Sequence, residues 1–331
     1  MSGDEQWSRL EHQPEGAITA LATARGAGDG VIVFAGSAAG VRRSLDHGHT
    51  WTMLAGAETI PLVTALAPSL NFSVDHCLFI GTASGCYRTI GDEAASQLAL
   101  AGIQVHAVAI VPEVESVRET HGSDSGAIFL GTERDGVVRS SDGGNNWEAA
   151  NAGLLDLSVL ALAFSPTFVQ DRTGFTATAT GLYRTRNGGR AWRAIDMLEG
   201  ETAIQSLAMS PSFASDGLLL AGSEEHGLYR SADSGSTWAR VENLTAESIN
   251  AVAISPDGTI IVVGTDQGAA VTLDGGATWR WDGGELGPVL STCVLSLPDG
   301  NIVVSGLLAN GIAISSNDGL DWTHAPGSTG L

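Results

Sequence analysis

The sequence predicts an all-β fold, a seven-bladed β-propeller of four-stranded antiparallel blades that takes in residues 1–331 as one domain. Three observations predict it. Trp7, Trp51, Trp147, Trp192, Trp238, Trp279 and Trp322 stand 44, 96, 45, 46, 41 and 43 residues apart, and the long gap is two periods with one tryptophan missing. A period of about 45 residues is the length of one propeller blade. A turn motif, Ser/Thr-x-Asp-x-Gly-x-Thr-Trp, precedes most of these tryptophans in register. Between the motifs lie short runs of small and β-branched residues, with no long apolar stretch at helical spacing.

Each blade reads the same way. A first strand opens with Ile18-Thr-Ala-Leu-Ala, Val63-Thr-Ala-Leu-Ala, Val105-His-Ala-Val-Ala, Ile204-Gln-Ser-Leu-Ala or Ile249-Asn-Ala-Val-Ala. Turns such as Ser165-Pro166-Thr167-Phe168 and Ser255-Pro256-Asp257-Gly258 follow it. A second strand ends in Gly-Ser/Thr, as at Gly36-Ser37, Gly131-Thr132 and Gly222-Ser223. A third opens with glycine, often as Gly-x-Tyr-Arg, and the fourth follows the tryptophan. Seven first strands give seven blades. An eighth fourth-strand segment, Trp7-Ser8-Arg9-Leu10, precedes them. The expectation is that residues 1–16 supply a closing strand, near or in place of Trp322–Ala325, because an unpaired strand edge invites association.

The turn motif has a folding chemistry of its own. A short acidic side chain accepts hydrogen bonds from backbone N–H groups of its own hairpin, and glycine supplies the φ > 0 position. The acceptors are Asp46, Asp142, Asp233 and Asp274, with Asn187 and Asn317 in two copies. Ala191 and Asp321 replace the motif threonine in those two copies, and the copy at Thr89-Ile90-Gly91-Asp92 has almost vanished. These carboxylates are read as structural rather than catalytic.

Composition sets further limits. Lys and Arg total 16 against 37 Asp and Glu, for a net charge of −21. Such a surface repels nucleic-acid backbones and anionic membrane faces. No segment is long and apolar enough to span a membrane, and the first residues show no signal-peptide pattern. Cytoplasmic residence as a monomer is therefore the expectation. Cys77, Cys86 and Cys293 have no metal-ligand spacing. Cys77 and Cys86 flank one strand turn and are read as packed thiols.

These motifs resemble the BNR/Asp-box repeat superfamily, which includes sialidases, xyloglucan-cleaving propeller hydrolases, sortilin-type receptors and photosystem II assembly-factor propellers. The resemblance covers nearly the whole chain. It implies the fold, and it leaves enzyme, receptor and scaffold all open. The sialidase pattern implies an Arg-Ile-Pro segment, which the chain lacks. It also implies a tyrosine nucleophile and an arginine cluster. Tyr87, Tyr183 and Tyr229 all occupy one repeat slot, as do Arg43, Arg88, Arg139, Arg184 and Arg230. The xyloglucan hydrolases imply a cleft between two propellers, and this chain has length for one. The photosystem factors imply export and a basic patch, which this acidic chain does not match.

Function is expected on the rim opposite the Asp-box turns, where loops joining strands two and three meet those joining strand four to the next blade. The polar candidates there are Glu133, Arg134 and Asp135, then Glu224, Glu225 and His226, then Asp266 and Gln267, with His106, Gln205 and Asn250 from the first strands. The expected role is non-catalytic binding of a protein or glycan, without cofactor or metal. The alternative is a glycoside hydrolase or lyase using Glu133, Asp135, Glu224, Glu225 or Asp266, since that chemistry needs two acids across a cleft. His226 and His106 with the neighbouring acids are the weaker metal-ligand candidates, lacking a recognised spacing.

Overall fold

The computed structural model describes residues 16–324 apart from 27–29, 55, 58–59, 90–96, 113–125, 198–201, 283 and 299. The chain forms seven four-stranded antiparallel sheets, each from one contiguous stretch. The first strands are Ile18–Arg25, Val63–Pro68, Val105–Val111, Val159–Phe164, Ile204–Met209, Ile249–Ile254 and Val289–Leu297. Each packs on the first strand of the next blade, and the seventh packs on the first, so they form a closed inner ring. The fourth strands are short: Thr52–Met53, Gln97–Ala101, Glu148–Ala149, Arg193–Ile195, Ala239–Arg240, Arg280–Trp281 and Thr323–His324. Short, partly charged edges of this kind resist pairing with other chains.

The spacing between blades is set by glycine. A Cβ built on Gly36, Gly81, Gly131, Gly222, Gly264 or Gly306 would lie 2.4–2.8 Å from a methyl carbon of Val63, Val105, Val159, Ile249, Val289 or Ile18 respectively. Each of those β-branched residues opens the first strand of the following blade. The glycine of the Gly-Ser/Thr pattern is therefore the floor on which the next blade rests. Blade four has Ala177 instead, packed with Ile204 of blade five.

Aromatic rings join the blades on the other side. The turns opened by Ser69, Ser165 and Ser210, the last two reading Ser-Pro-x-Phe, continue into single helical turns, α1 (Phe72–Asp75), α2 (Phe168–Asp171) and α3 (Phe213–Asp216). Sequence reading gave a turn without a helix at the last two. Each helical turn is held by its last residue: Asp75, Asp171 and Asp216 accept the hydroxyls of Ser69, Ser165 and Ser210 at 2.6, 2.5 and 2.6 Å. Each leading phenylalanine stacks on one from the preceding blade, Phe72 on Phe34, Phe168 on Phe129 and Phe213 on Phe175, at 5.2, 6.4 and 6.3 Å between centroids. The motif tryptophans also reach backwards. Trp147 donates its ring N–H to Ala99 in the outer strand of blade two, and Trp192 to Ala150 in blade three.

The ring closes between blades seven and one. Trp51, fully buried, packs with Ile18 and Val33 of its own blade and with Leu295, Val304, Ile312 and Ile314 of blade seven. Ser291 Oγ donates to the Ile18 carbonyl at 2.9 Å, and Gly16 bridges Asn310. The expected closing segment Trp7–Leu10 lies outside the described residues. The outer position of blade seven is occupied by Thr323–His324.

The glycine floor makes a prediction. Gly131→Ala forces a methyl against Val159 and should lower stability by about 1–3 kcal/mol, the usual cost of overpacking. The mirror change in blade four, Ala177→Gly, should cost about 1 kcal/mol or less. Urea unfolding compares them, and an Ala177→Gly loss as large as that of Gly131→Ala would remove the glycine constraint.

Candidate functional site

The polar rim is built on buried hydroxyls. In blades one to six the residue after the spacing glycine, or after Ala177 in blade four, is a Ser or Thr whose side chain ties the loop that follows, whereas blade seven has Leu307 there. Thr132 Oγ1 donates to Gly136 O at 2.8 Å and accepts from Asp135 N at 3.0 Å. Ser223 Oγ does the same with Gly227 O and His226 N, both at 2.8 Å. Thr265 Oγ1 holds Gly268 O and Gln267 N at 2.9 and 3.0 Å. These hydroxyl residues are themselves wholly buried. Fixed from below, the loops project Arg134, Asp135, Glu224, Glu225, His226, Asp266 and Gln267 into solvent, with Glu133 half-buried.

The mouth of the inner ring is lined by a repeated irregularity. In every blade the strand register slips by one residue at the second position of the first strand. The bulged residues are Thr19, Thr64, His106, Leu160, Gln205, Asn250 and Leu290, all half-buried. Bulges re-aim side chains and recur at barrel rims and functional sites. Here several reach the next blade. The Thr19 hydroxyl donates to Val63 O, Thr64 to Val105 O at 2.5 Å, and Asn250 Nδ2 to Val289 O at 3.0 Å.

His106, Gln205 and Asn250 therefore hold equivalent positions, each beside its own loop. Glu133 N donates to Gln104 O at 3.0 Å and Glu224 N to Ala203 O at 3.1 Å, which seats those loops over the start of the same blade. Gln205 Nε2 lies 3.4 Å from Asn250 Oδ1 and 3.5 Å from Ser248 Oγ, so blades five and six share one polar arc. Glu133, Arg134, Asp135 and His106 stand apart in blade three, separated from that arc by blade four with Leu160 at its bulge. Burial lowers the pKa of His106, and the Glu133 charge opposes this only in part. The shift favours the neutral imidazole, an acceptor or donor, over the cation. Among the described residues, no three His, Cys, Asp or Glu side chains come together as a metal site.

Three rim residues escaped sequence reading. Asp156 accepts from Ser158 N and from both N–H and hydroxyl of Thr180, at 2.9, 3.0 and 2.9 Å. Asn151 takes Val137 N at 2.7 Å and donates to Asp135 O at 2.8 Å. Asp282 accepts from Leu286 N at 3.0 Å. All follow the fourth strand and brace the loops from outside, and because they stand at different distances after the motif tryptophan no fixed spacing marked them.

On the opposite rim the motif carboxylates are occupied by their own turns. Asp46 Oδ1 accepts from Thr50 N and Ser44 Oγ, both at 2.8 Å, while Oδ2 accepts the Thr50 hydroxyl at 2.7 Å. Asp233 and Asp274 repeat the pattern with Thr237 and Thr278, and Asp142 with Asn146. The Thr237 and Thr278 hydroxyls, followed by backbone N–H groups, hold Asp233 and Asp274 at a pKa of about 2. Asp142 also falls to about 2, its burial outweighed by the Asn146 bonds. Asn317 exchanges polarity: its Oδ1 accepts from Asp321 N and its Nδ2 donates to the Asp321 carboxylate at 2.7 Å. The degenerate second copy lies mostly outside the described residues. All three cysteines are free, and burial pushes the Cys86 thiol up to about 12, which leaves it unreactive.

Comparison with known proteins agrees with this architecture. The WD domain, G-beta repeat family matches residues 239–270, less than one blade. No curated protein matches the chain. The Niastella koreensis GH74 enzyme is structurally similar, with a TM-score of 0.71 at 16% identity over 96% of this chain and 55% of that one. The GH74 xyloglucanase from Xanthomonas campestris gives 0.70 at 16% identity, again over 96% and 55%. The extracellular domain of BT4673 from B. thetaiotaomicron gives 0.64 at 14% identity, over 92% and 40%. The chain spans about half the length of the GH74 structures it matches. At these identities the likeness establishes the seven-bladed propeller fold.

The low carboxylate pKa values fix a pH dependence. Asp142, Asp233 and Asp274 are depressed in the folded state to about 2 from 3.8. Their stabilisation is complete above about pH 4 and is lost as pH falls towards about 2. The triple variant Asp142→Asn, Asp233→Asn, Asp274→Asn should lose stability at pH 7 and show a flatter decline between those two pH values. Urea midpoints across the range measure it, and parallel curves for variant and wild type would contradict the assignment.

Proposed function

We propose that this chain is a propeller of the BNR/Asp-box type that binds a protein or glycan ligand through its polar rim, without catalysis. The observation that carries this reading is the arc of blades five and six. There Gln205 and Asn250 interlock, and Glu224, Glu225, His226, Asp266 and Gln267 project from loops whose backbones are tied down by buried Ser223 and Thr265. Exposed polar groups on a fixed frame lose little freedom on binding, which favours recognition. The family assignment is supported by the six described turns, in which Asp or Asn accepts the N–H of the motif residue four positions on.

A second reading, a glycoside hydrolase acting through Glu224, Glu225 or Asp266, is favoured by the GH74 enzymes among the structural neighbours. The xyloglucanase named there is a longer chain than this one, and a substrate cleft in this protein would need a second wall.

A glycan array combined with a panel of aryl glycosides separates the two. Binding without turnover, weakened by Glu224→Gln and Asp266→Asn, is the expected result. Both residues are exposed, so the variants should retain stability within about 0.5 kcal/mol. Turnover by the wild type that either variant abolishes would replace the binding assignment with the hydrolase one.

A further inference from the structure

All 16 basic side chains of the protein are arginines, and Arg172, Arg184, Arg186, Arg190 and Arg193 fall within one blade. Three of these converge. Arg184, Arg186 and Arg193, with Asn187 and Ala191, line a pocket of about 400 Å³ at the turn-motif rim of blade four. No acidic residue lines it among the described residues.

The other blades act as internal controls. Arg184 belongs to a repeated slot near the end of the third strand, and its cross-strand partner is Arg193. The equivalent partners are Thr52 for Arg43, Gln97 for Arg88, Glu148 for Arg139 and Ala239 for Arg230. In blade three the pair is an ion pair at 3.3 Å. Blade four alone places like charges directly opposite, an arrangement that destabilises a sheet. Burial and then the charge of Arg186 lower the Arg184 pKa, opposed in part by the charge of Asp233 in the neighbouring turn.

The turn of blade four departs in the same direction. Asn187 stands where four other blades have aspartate, so one negative charge is missing beside the arginines. Its Oδ1 accepts from Thr185 Oγ1 and Ala191 N at 2.8 and 2.9 Å. With alanine at position 191, its Nδ2 donates to no partner among the described residues. In blade seven the same amide is satisfied by Asp321. Nearby Asp171 is already engaged by Ser165, Thr167 and Thr173.

We propose that this corner of blade four binds a compact tetrahedral oxyanion, a phosphate or sulfate group, between the guanidinium groups of Arg184, Arg186 and Arg193, with the Asn187 amide as a further donor. Planar arginine forks match oxyanion geometry and form charge-assisted bonds. Arg184 is half-buried and anchored by its bond to Ser234 O at 2.7 Å, while Arg186 and Arg193 are exposed and free to close on the ligand. The site lies on the opposite rim from the proposed protein- or glycan-binding arc and is independent of it.

Calorimetric and thermal-shift titrations with inorganic phosphate, sulfate and glucuronate, in anion-poor buffer, test the proposal. Saturable binding of phosphate or sulfate is expected, weakened about tenfold or more by Arg193→Gln or Arg186→Gln, as loss of a charge-assisted partner requires. Without ligand, Arg193→Gln should melt at the same temperature as wild type or higher, since it relieves repulsion. Ala191→Asp should satisfy Asn187 as in blade seven, raise the melting temperature and abolish anion binding. Preference for glucuronate would overturn the tetrahedral assignment. The site itself falls if none of the three anions binds, if binding survives Arg193→Gln and Arg186→Gln unchanged, or if Arg193→Gln lowers the unliganded melting temperature.

Discussion

Six of the seven blades approach the next only as closely as one missing side chain permits, and blade four does so with the smallest one, Ala177. Where Gly36 meets Val63, or Gly264 meets Val289, a methyl group on the glycine would overlap its neighbour. That contact brings the bulged residues of adjacent first strands within hydrogen-bonding reach, so that Thr19, Thr64 and Asn250 can latch the following blade. In blades one to six it also positions the buried hydroxyl that ties the rim loop, because that hydroxyl is the next residue in the chain. Spacing, latch and loop anchor thus descend from one close approach repeated around the ring.

The two rims divide labour as a result. On the turn-motif side, carboxylates and hydroxyls are consumed in local bonds, which lower the carboxylate pKa values. On the other side the bonding is confined to the loop bases, and the tips are left to vary. Blades three and five exploit this with three-residue tips closed by Gly136 and Gly227 at positive φ, whereas blades one, two, four and six have tight two-residue turns. The polar surface is therefore uneven, dense at blades five and six and interrupted by the apolar Leu160 and Leu290.

The repeat was legible because its signals are local. Tryptophan spacing, the acidic turn and the Gly-Ser/Thr pair each declare themselves within a few residues. Blade number, strand order and the rim bearing the candidate loops follow from them. What stayed hidden depends on register between distant segments. The repeat already put His106, Gln205 and Asn250 in one slot, but nothing in Val105-His106-Ala107 announces the bulge that re-aims them. Asp156 looks like any loop acid until Thr180, 24 residues away, is found bonded to it. The helical turns were missed because Ser-Pro-x-Phe ends a strand equally well as a tight turn, and the deciding Asp171 lies three residues past the phenylalanine. The facing arginines of blade four were invisible for the same reason, since only strand pairing sets Arg184 against Arg193.

The burial of Trp51 at the seam has a topological consequence. Six blade interfaces join segments already tethered by a short connection, so forming them closes a small loop. The seventh must be found across nearly the whole chain. Closure entropy grows only with the logarithm of loop length, but from a few residues to about 300 it still adds about 3–4 kcal/mol. The chain places at that junction Trp51, the one motif tryptophan among the described residues with no exposed surface, wedged among Leu295, Val304, Ile312 and Ile314. An open arc of blades therefore carries a large buried aromatic contact at the end that has the farthest to travel.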